Sequence, residues 1–222
     1  MTEAEGLTCD EALVLFDSLP DKASLRKMRL LACACARRLY PALAKEARLS
    51  LDVAERYADG QASRQELRNA RGPYYSGVRA DNCASLAARP SQGFRREVRG
   101  VLVQAVLSAS ADEDGWVTRS IPAVSTAERA AQVALVRDVF GNPFRPATVD
   151  PAWQTPTILA LAQAAYEHRD LPSGYLDPAR LAVLADALED ACCDDAGLLG
   201  HLRGPGPHVR GCWALDLLLC RG

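Results

Sequence analysis

Apolar residues recur along this chain at three- and four-residue steps, and proline, glycine and capping residues interrupt them, a rhythm that predicts helices nearly throughout. Thr8 and Glu11 form a T-x-x-E capping box ahead of Leu13, Val14, Leu15 and Phe16. This predicts a short helix over Cys9 to Leu19, ended by Pro20. In "DKASLRKMRLLACACARRLY" the apolar stripe is Leu25, Met28, Leu31 (or Ala32), Cys35 and Leu39, with Arg26, Lys27, Arg37 and Arg38 mostly off it, and Pro41 breaks the helix. Ser50 reads as the N-cap of a third helix that stops at Gly60, and a fourth starts near Ser63 and meets Gly72-Pro73. The pattern resumes through Cys83, Leu86 and Ala87 and again in "FRREVRGVLVQAVLSAS", followed by a polar stretch, "ADEDGWVTRSIPAVS".

A second capping box, Ser125 to Glu128, opens a helix that Gly141 stops. Three prolines make "NPFRPATVDPAWQ" an extended crossing, anchored by Phe140, Phe144 and Trp153. Thr155-Pro156 and Asp177-Pro178 each pair an N-cap with proline at the first helical position. Asp194 or Asp195 caps a turn to Leu202, and "HVRGCWALDLLLC" reads as the last helix. No stretch alternates like a strand, and no fixed-period repeat is present. The expected fold is all-α, an irregular bundle of about eight to ten helices. It forms one domain over 1–222, with a subdivision into 1–111 and 124–222 joined by a loop at 112–123.

Composition supports this. Of 222 residues, 49% are hydrophobic and only 6% aromatic, with alanine and leucine dominant, which favours helix over sheet. The net charge of -2 gives no global pull toward nucleic acid. It is unevenly spread: Lys22 to Arg48 carries eight basic residues against Glu46, while Asp177 to Asp195 carries six acids against Arg180. Internal pairing of basic with acidic helices is the first expectation, and a basic face for phosphate or an acidic partner the second. The N-terminus lacks a secretory n-region and no apolar run is long enough for a membrane span. A cytoplasmic protein is therefore expected, its eight cysteines reduced and mostly core fillers.

The blocks "RKMRLLACACARRLY", "VAERYADG", "LVRDVFGNPFRP", "LADALEDACC" and "HLRGPGPHVRGCWALDLLL" together resemble an uncharacterised family, present as many paralogues in planctomycete-type bacterial genomes. The resemblance covers about two thirds of the chain and implies cytosolic helical homologues. Copies differing mainly in the middle segment would suit a partner-binding module.

Candidate chemistry concentrates in "RGPGPHVRGCW". His208 and Cys212, four apart at the start of a helix, face one way. With Cys193 and His201 they make a Cys2His2 set suited to zinc, at the non-standard spacing C-x7-H-x6-H-x3-C. Alternatively Arg203, Gly206, His208 and Arg210 surround a helix N-terminus that could hold an anion, though no dinucleotide or P-loop motif is present. The simplest expectation is a stiff turn: Pro207 sets it, His208 satisfies a free amide or carbonyl, and both cysteines fill the core. Cys212–His208 and Cys193–His201 lack an orienting third group, so no catalytic residue is assigned. Glu189, Asp190, Asp194 and Asp195 lack EF-hand spacing and read as a solvated helix end. Tyr74 and Tyr75, among arginines, are the one hint of single-strand stacking, too little for a nucleic-acid reading. The leading expectation is a non-enzymatic helical protein-interaction module with another protein as partner. The alternative is a zinc- or anion-binding protein built on the C-terminal Cys/His cluster.

Overall fold

A computed structural model describes residues 2–20, 23–72, 80–89, 94–109, 122–145 and 147–221. These form two compact units, Met1–Val136 and Arg137–Gly222, and the expectation of an all-α fold holds. The boundary falls inside a helix, whereas the linking loop was expected at 112–123. Residues 112–121 of that loop, and Tyr74 and Tyr75, lie outside the described residues.

The first unit contains α1 (Glu3–Thr8), α2 (Ala12–Ser18), α3 (Leu25–Arg37), α4 (Lys45–Ala58), α5 (Arg64–Ala70), α6 (Ala80–Ala87), α7 (Arg95–Ala109) and most of α8 (Pro122–Phe140). Several caps shift from their expected places. Thr2 and Glu5 make the first capping box, and Thr8 ends that helix, its hydroxyl donating back to the Ala4 carbonyl. Ser50 lies inside α4, where its hydroxyl donates to the Glu46 and Ala70 carbonyls and accepts the Gly72 amide. α8 begins at Pro122, ahead of the Ser125–Glu128 box, and the Glu128 carboxylate accepts from Arg38 and Gln132 instead.

The central element is α3, packed against α4, α6 and α7. Its ten residues Met28–Arg37 are all buried, a wider face than an amphipathic stripe supplies. Ala32, Cys33, Ala34, Cys35 and Ala36 are small enough for neighbours to close in on every side, and the two thiols fill the core on different faces. Two arginines follow the helix inward. The Arg29 guanidinium donates to the Ala87 and Arg89 carbonyls and stacks 4.1 Å from the Phe94 ring centroid. The Arg37 guanidinium forks onto Glu55, Nη2 lying 2.7 Å from Oε2, and also reaches Asp52. The basic stretch is thus matched by acids of its own unit: Arg26 by Asp59, Arg37 by Glu55, Arg38 by Glu128.

The second unit adds α9 (Pro156–Glu167), the two-residue strands β1 (Arg169–Asp170) and β2 (Tyr175–Leu176), α10 (Pro178–Asp190), α11 (Ala196–Leu202) and α12 (Trp213–Leu218). Thr155 and Asp177 cap α9 and α10 as their sequence predicts, each followed by proline. The antiparallel β1–β2 hairpin has no precursor in the hydrophobic pattern, being too short to alternate. α9, α10, α11 and α12 surround an apolar core that includes Ile158, Tyr166, Leu181, Leu184, Leu202 and Leu215. Full burial of each leucine contributes roughly 1.5–3 kcal/mol.

Glu55 is only 3% exposed, so removing it takes away the buried half of the counter-charge on Arg37 and leaves Asp52, at the exposed edge, as its acidic partner. Glu55→Ala is expected to lower unfolding stability by about 3–5 kcal/mol. Pairing it with Arg37→Met recovers most of that loss, as read by urea midpoints at constant m-value.

Candidate metal centre

Asp138 lies in the last turn of α8, next to Val139 and three residues after Leu135, on the buried side of the helix. Gly141 ends that helix at φ +65, and a Cβ there would meet the Trp213 ring at 3.0 Å. The opposite wall comes from the stretch after α11. Asp195 fixes the start of that helix by accepting the Gly197 and Leu198 amides. The chain then leaves regular structure from Gly204 to Cys212, where the sequence predicted helix from His208 onward. Gly206 takes φ +80, and a Cβ there would lie 2.8 Å from the His208 nitrogen, so glycine alone fits. The hairpin clamps this loop: Leu176 N–H donates to the His208 carbonyl at 2.8 Å, and Tyr175 bridges to Val209. Cys212 sits at the position that opens α12.

Four side chains meet between these walls. Each of Asp138, His201, His208 and Cys212 offers one donor atom, and these atoms all lie within 4.8 Å of one another. Nε2 of His201 is 3.2 Å from Asp138 Oδ1 and 3.1 Å from Cys212 Sγ. Nδ1 of His208 is 2.9 Å from the same Oδ1. The remaining atoms of two of these groups are held from outside. Asp138 Oδ2 accepts the Val209 amide at 2.9 Å, and His208 Nε2 is 3.2 Å from the Gly204 carbonyl. The imidazoles of His201 and His208 meet edge to face at 4.8 Å, and the Trp213 ring covers His201 at 4.9 Å.

This packing sets the electrostatics. Burial alone would push the Asp138 carboxyl up, but the hydrogen bonds and charge of His201 and His208 outweigh it and hold it below the usual carboxylate range. Burial pulls His208 down, yet the Asp138 hydrogen bond and charge, with the Gly204 carbonyl, leave it above the ordinary histidine value. Burial pushes the Cys212 thiol well up, Asp138 adds to this, and the Leu215 and Ala214 amides oppose it.

Three of the four residues expected from the sequence as a zinc set therefore come together, and the fourth place belongs to Asp138. Cys193, 5% exposed, lies in the apolar core of the unit and is absent from the cluster. His208 and Cys212 converge through the loop rather than through one helix face, and the thiol meets His201 instead of His208. Of the residues expected around an anion, Arg203 is turned onto Asp186 and Glu189, and Arg210 stacks over the Tyr166 ring. The loop amide of Val209 and the ring of His208 do meet an anionic group, the carboxylate of Asp138 itself. Cys192 and Cys220 are exposed, and none of the eight cysteines is joined in a disulfide. Among the described residues no helix is long and apolar enough to cross a membrane.

Sequence reasoning missed Asp138. Its signal is an acid flanked by Val136 and Val139 inside an apolar stripe, where a lone solvated charge does not belong. Asp138→Ala orphans the His208 ring nitrogen and the Val209 amide, each at roughly 1–3 kcal/mol. Denaturant melts in a chelating buffer are expected to show that combined loss, with Asp138→Asn losing less. Comparison of the chain with protein-family models, with curated proteins and with solved structures returns no match to any of them.

Proposed function

We propose that the chain is a metal-binding helical protein whose second unit holds a divalent transition-metal ion, zinc foremost, through Asp138, His201, His208 and Cys212. The supporting observation is the convergence of one donor atom from each residue on a common point. Bonds of about 2.0–2.3 Å at tetrahedral angles put neighbouring donors about 3.3–3.6 Å apart. The three closest approaches, 2.9, 3.1 and 3.2 Å, are shorter than that spacing and no pair exceeds 4.8 Å, so small side-chain shifts bring the donors to bonding range of one ion.

The donor chemistry agrees. One thiolate, one carboxylate and two imidazoles form a borderline set that suits zinc and disfavours calcium or magnesium, which take oxygen. Two anionic donors neutralise a dication, so a nearly dry pocket would carry no net charge. A bound dication also supplies the charge needed to ionise a thiol that burial otherwise keeps protonated. His208 and Asp138 have the outer partners that metal-binding groups use, a backbone carbonyl and a backbone amide.

The same geometry argues against a nucleophilic Cys–His–Asp relay. Such a relay places sulfur on one ring nitrogen and carboxylate on the other. Here Nε2 of His201 faces both, and Cys212 is fully buried away from any substrate. Four protein donors close a tetrahedron, which fits a structural ion. This reading takes precedence over the interaction module expected from the sequence because four residues in a stated geometry stand behind it.

Elemental analysis of untagged protein is expected to find one zinc per chain, and protein with none would sink the reading. Cys212→Ala abolishes uptake while Cys193→Ala leaves it unchanged, which separates the observed set from the set expected from spacing. Stripping the ion lowers the melting temperature, with stabilisation of about 4 kcal/mol when free metal exceeds Kd a thousandfold.

A further inference from the structure

The four donors are not equally anchored. Asp138 and His208 have side chains 3% and 4% exposed, and Cys212 is fully buried, whereas the His201 side chain is 20% exposed. Each of the first two has its second polar atom tied to backbone, Oδ2 to the Val209 amide and Nε2 to the Gly204 carbonyl. His201 uses Nε2 toward the cluster, and its Nδ1 has no hydrogen-bond partner among the described residues. An outer partner fixes a ligand ring's orientation, and the protein itself supplies one to His208 but not to the more exposed His201. His201 also lies in the last turn of the seven-residue α11, and the space beside that turn is open: a Cβ added at Gly200 meets nothing within 4 Å. Short peripheral elements sit at the low-stability end of a fold.

Resting on the metal reading above, we infer that His201 is the detachable ligand of the centre. Asp138, His208 and Cys212 form a fixed tripod, and the position His201 vacates accepts a small nitrogen or oxygen donor from solution. Three protein donors with a fourth place open is the arrangement of exchangeable metal sites, and four closed donors that of permanent ones. The centre switches between them by moving one ring, which gives up its edge contact with His208 and its packing on Trp213.

Cobalt(II), titrated into the full-length metal-free protein, tests this through its visible absorption, with circular dichroism checking that each variant is folded. His201→Ala is expected to take up one equivalent of cobalt with a spectrum shifted from that of the unsubstituted chain. Added imidazole restores the original bands. His208→Ala and Cys212→Ala lose cobalt uptake. A folded His201→Ala protein that binds no cobalt, or whose bound cobalt ignores imidazole, overturns the inference while leaving the four-ligand reading intact. If His208→Ala or Cys212→Ala fails to fold, the His201→Ala result decides alone. Failure of the unsubstituted chain to take up any cobalt would instead remove the metal reading, and this inference with it.

Discussion

A carboxylate buried in a largely apolar unit must be neutralised, and Asp138 organises the second unit around that requirement. Its two oxygens take a backbone amide and two imidazoles, and those partners lie about seventy residues further along the chain. The cost of leaving such a group unpaired is several kcal/mol, larger than most single contacts in a domain whose whole stability is of order ten. The glycine conformations, the hairpin clamp and the break before α12 all serve to bring those partners into reach. Because the carboxylate and the thiol both approach Nε2 of His201, the arrangement that satisfies the charge is also one that could grip a cation.

The first unit solves a related problem differently. Its charges are paired at the margins of a central helix lined by alanine and cysteine. Arg37 meets Glu55 and Arg29 meets two helix-end carbonyls, so cationic groups enter the interior only with oxygen already waiting. None of the pairing needs an added ion. Acids of the same unit pair with Arg26, Arg37 and Arg38, which takes those three guanidinium groups out of the basic face that the charge distribution suggested.

Where backbone chemistry is local, the amino-acid order is readable. Thr155-Pro156, Asp177-Pro178 and Gly141 mark the helix boundaries they should, since a cap or a positive φ needs only its neighbours. Reading fails where tertiary packing decides. Ser50 has the chemistry of a cap but sits mid-helix, where its hydroxyl also engages Ala70 and Gly72 some twenty residues on, while Thr8 loses its cap role to a local competitor, the Thr2–Glu5 box just upstream. Arg37 belongs to a polar face on a helical wheel and is buried because Glu55 is there to receive it. The candidate site shows the same division. His201, His208 and Cys212 are close in sequence and could be grouped from spacing alone. Asp138 is remote, and Cys193 was drawn into the set by proximity along the chain, although the apolar core claims it.

That remoteness bears on how the molecule can be cut. Every member of the second apolar core lies between Trp153 and Leu218, so a fragment starting at Asn142 would keep all of its greasy interior. It would nevertheless leave two imidazoles and a loop amide facing a hole where a carboxylate had been. A chain dissected by its hydrophobic core alone would be severed from the residue that gives its polar heart a counter-charge, so any excised fragment has to begin upstream of α8's final turn.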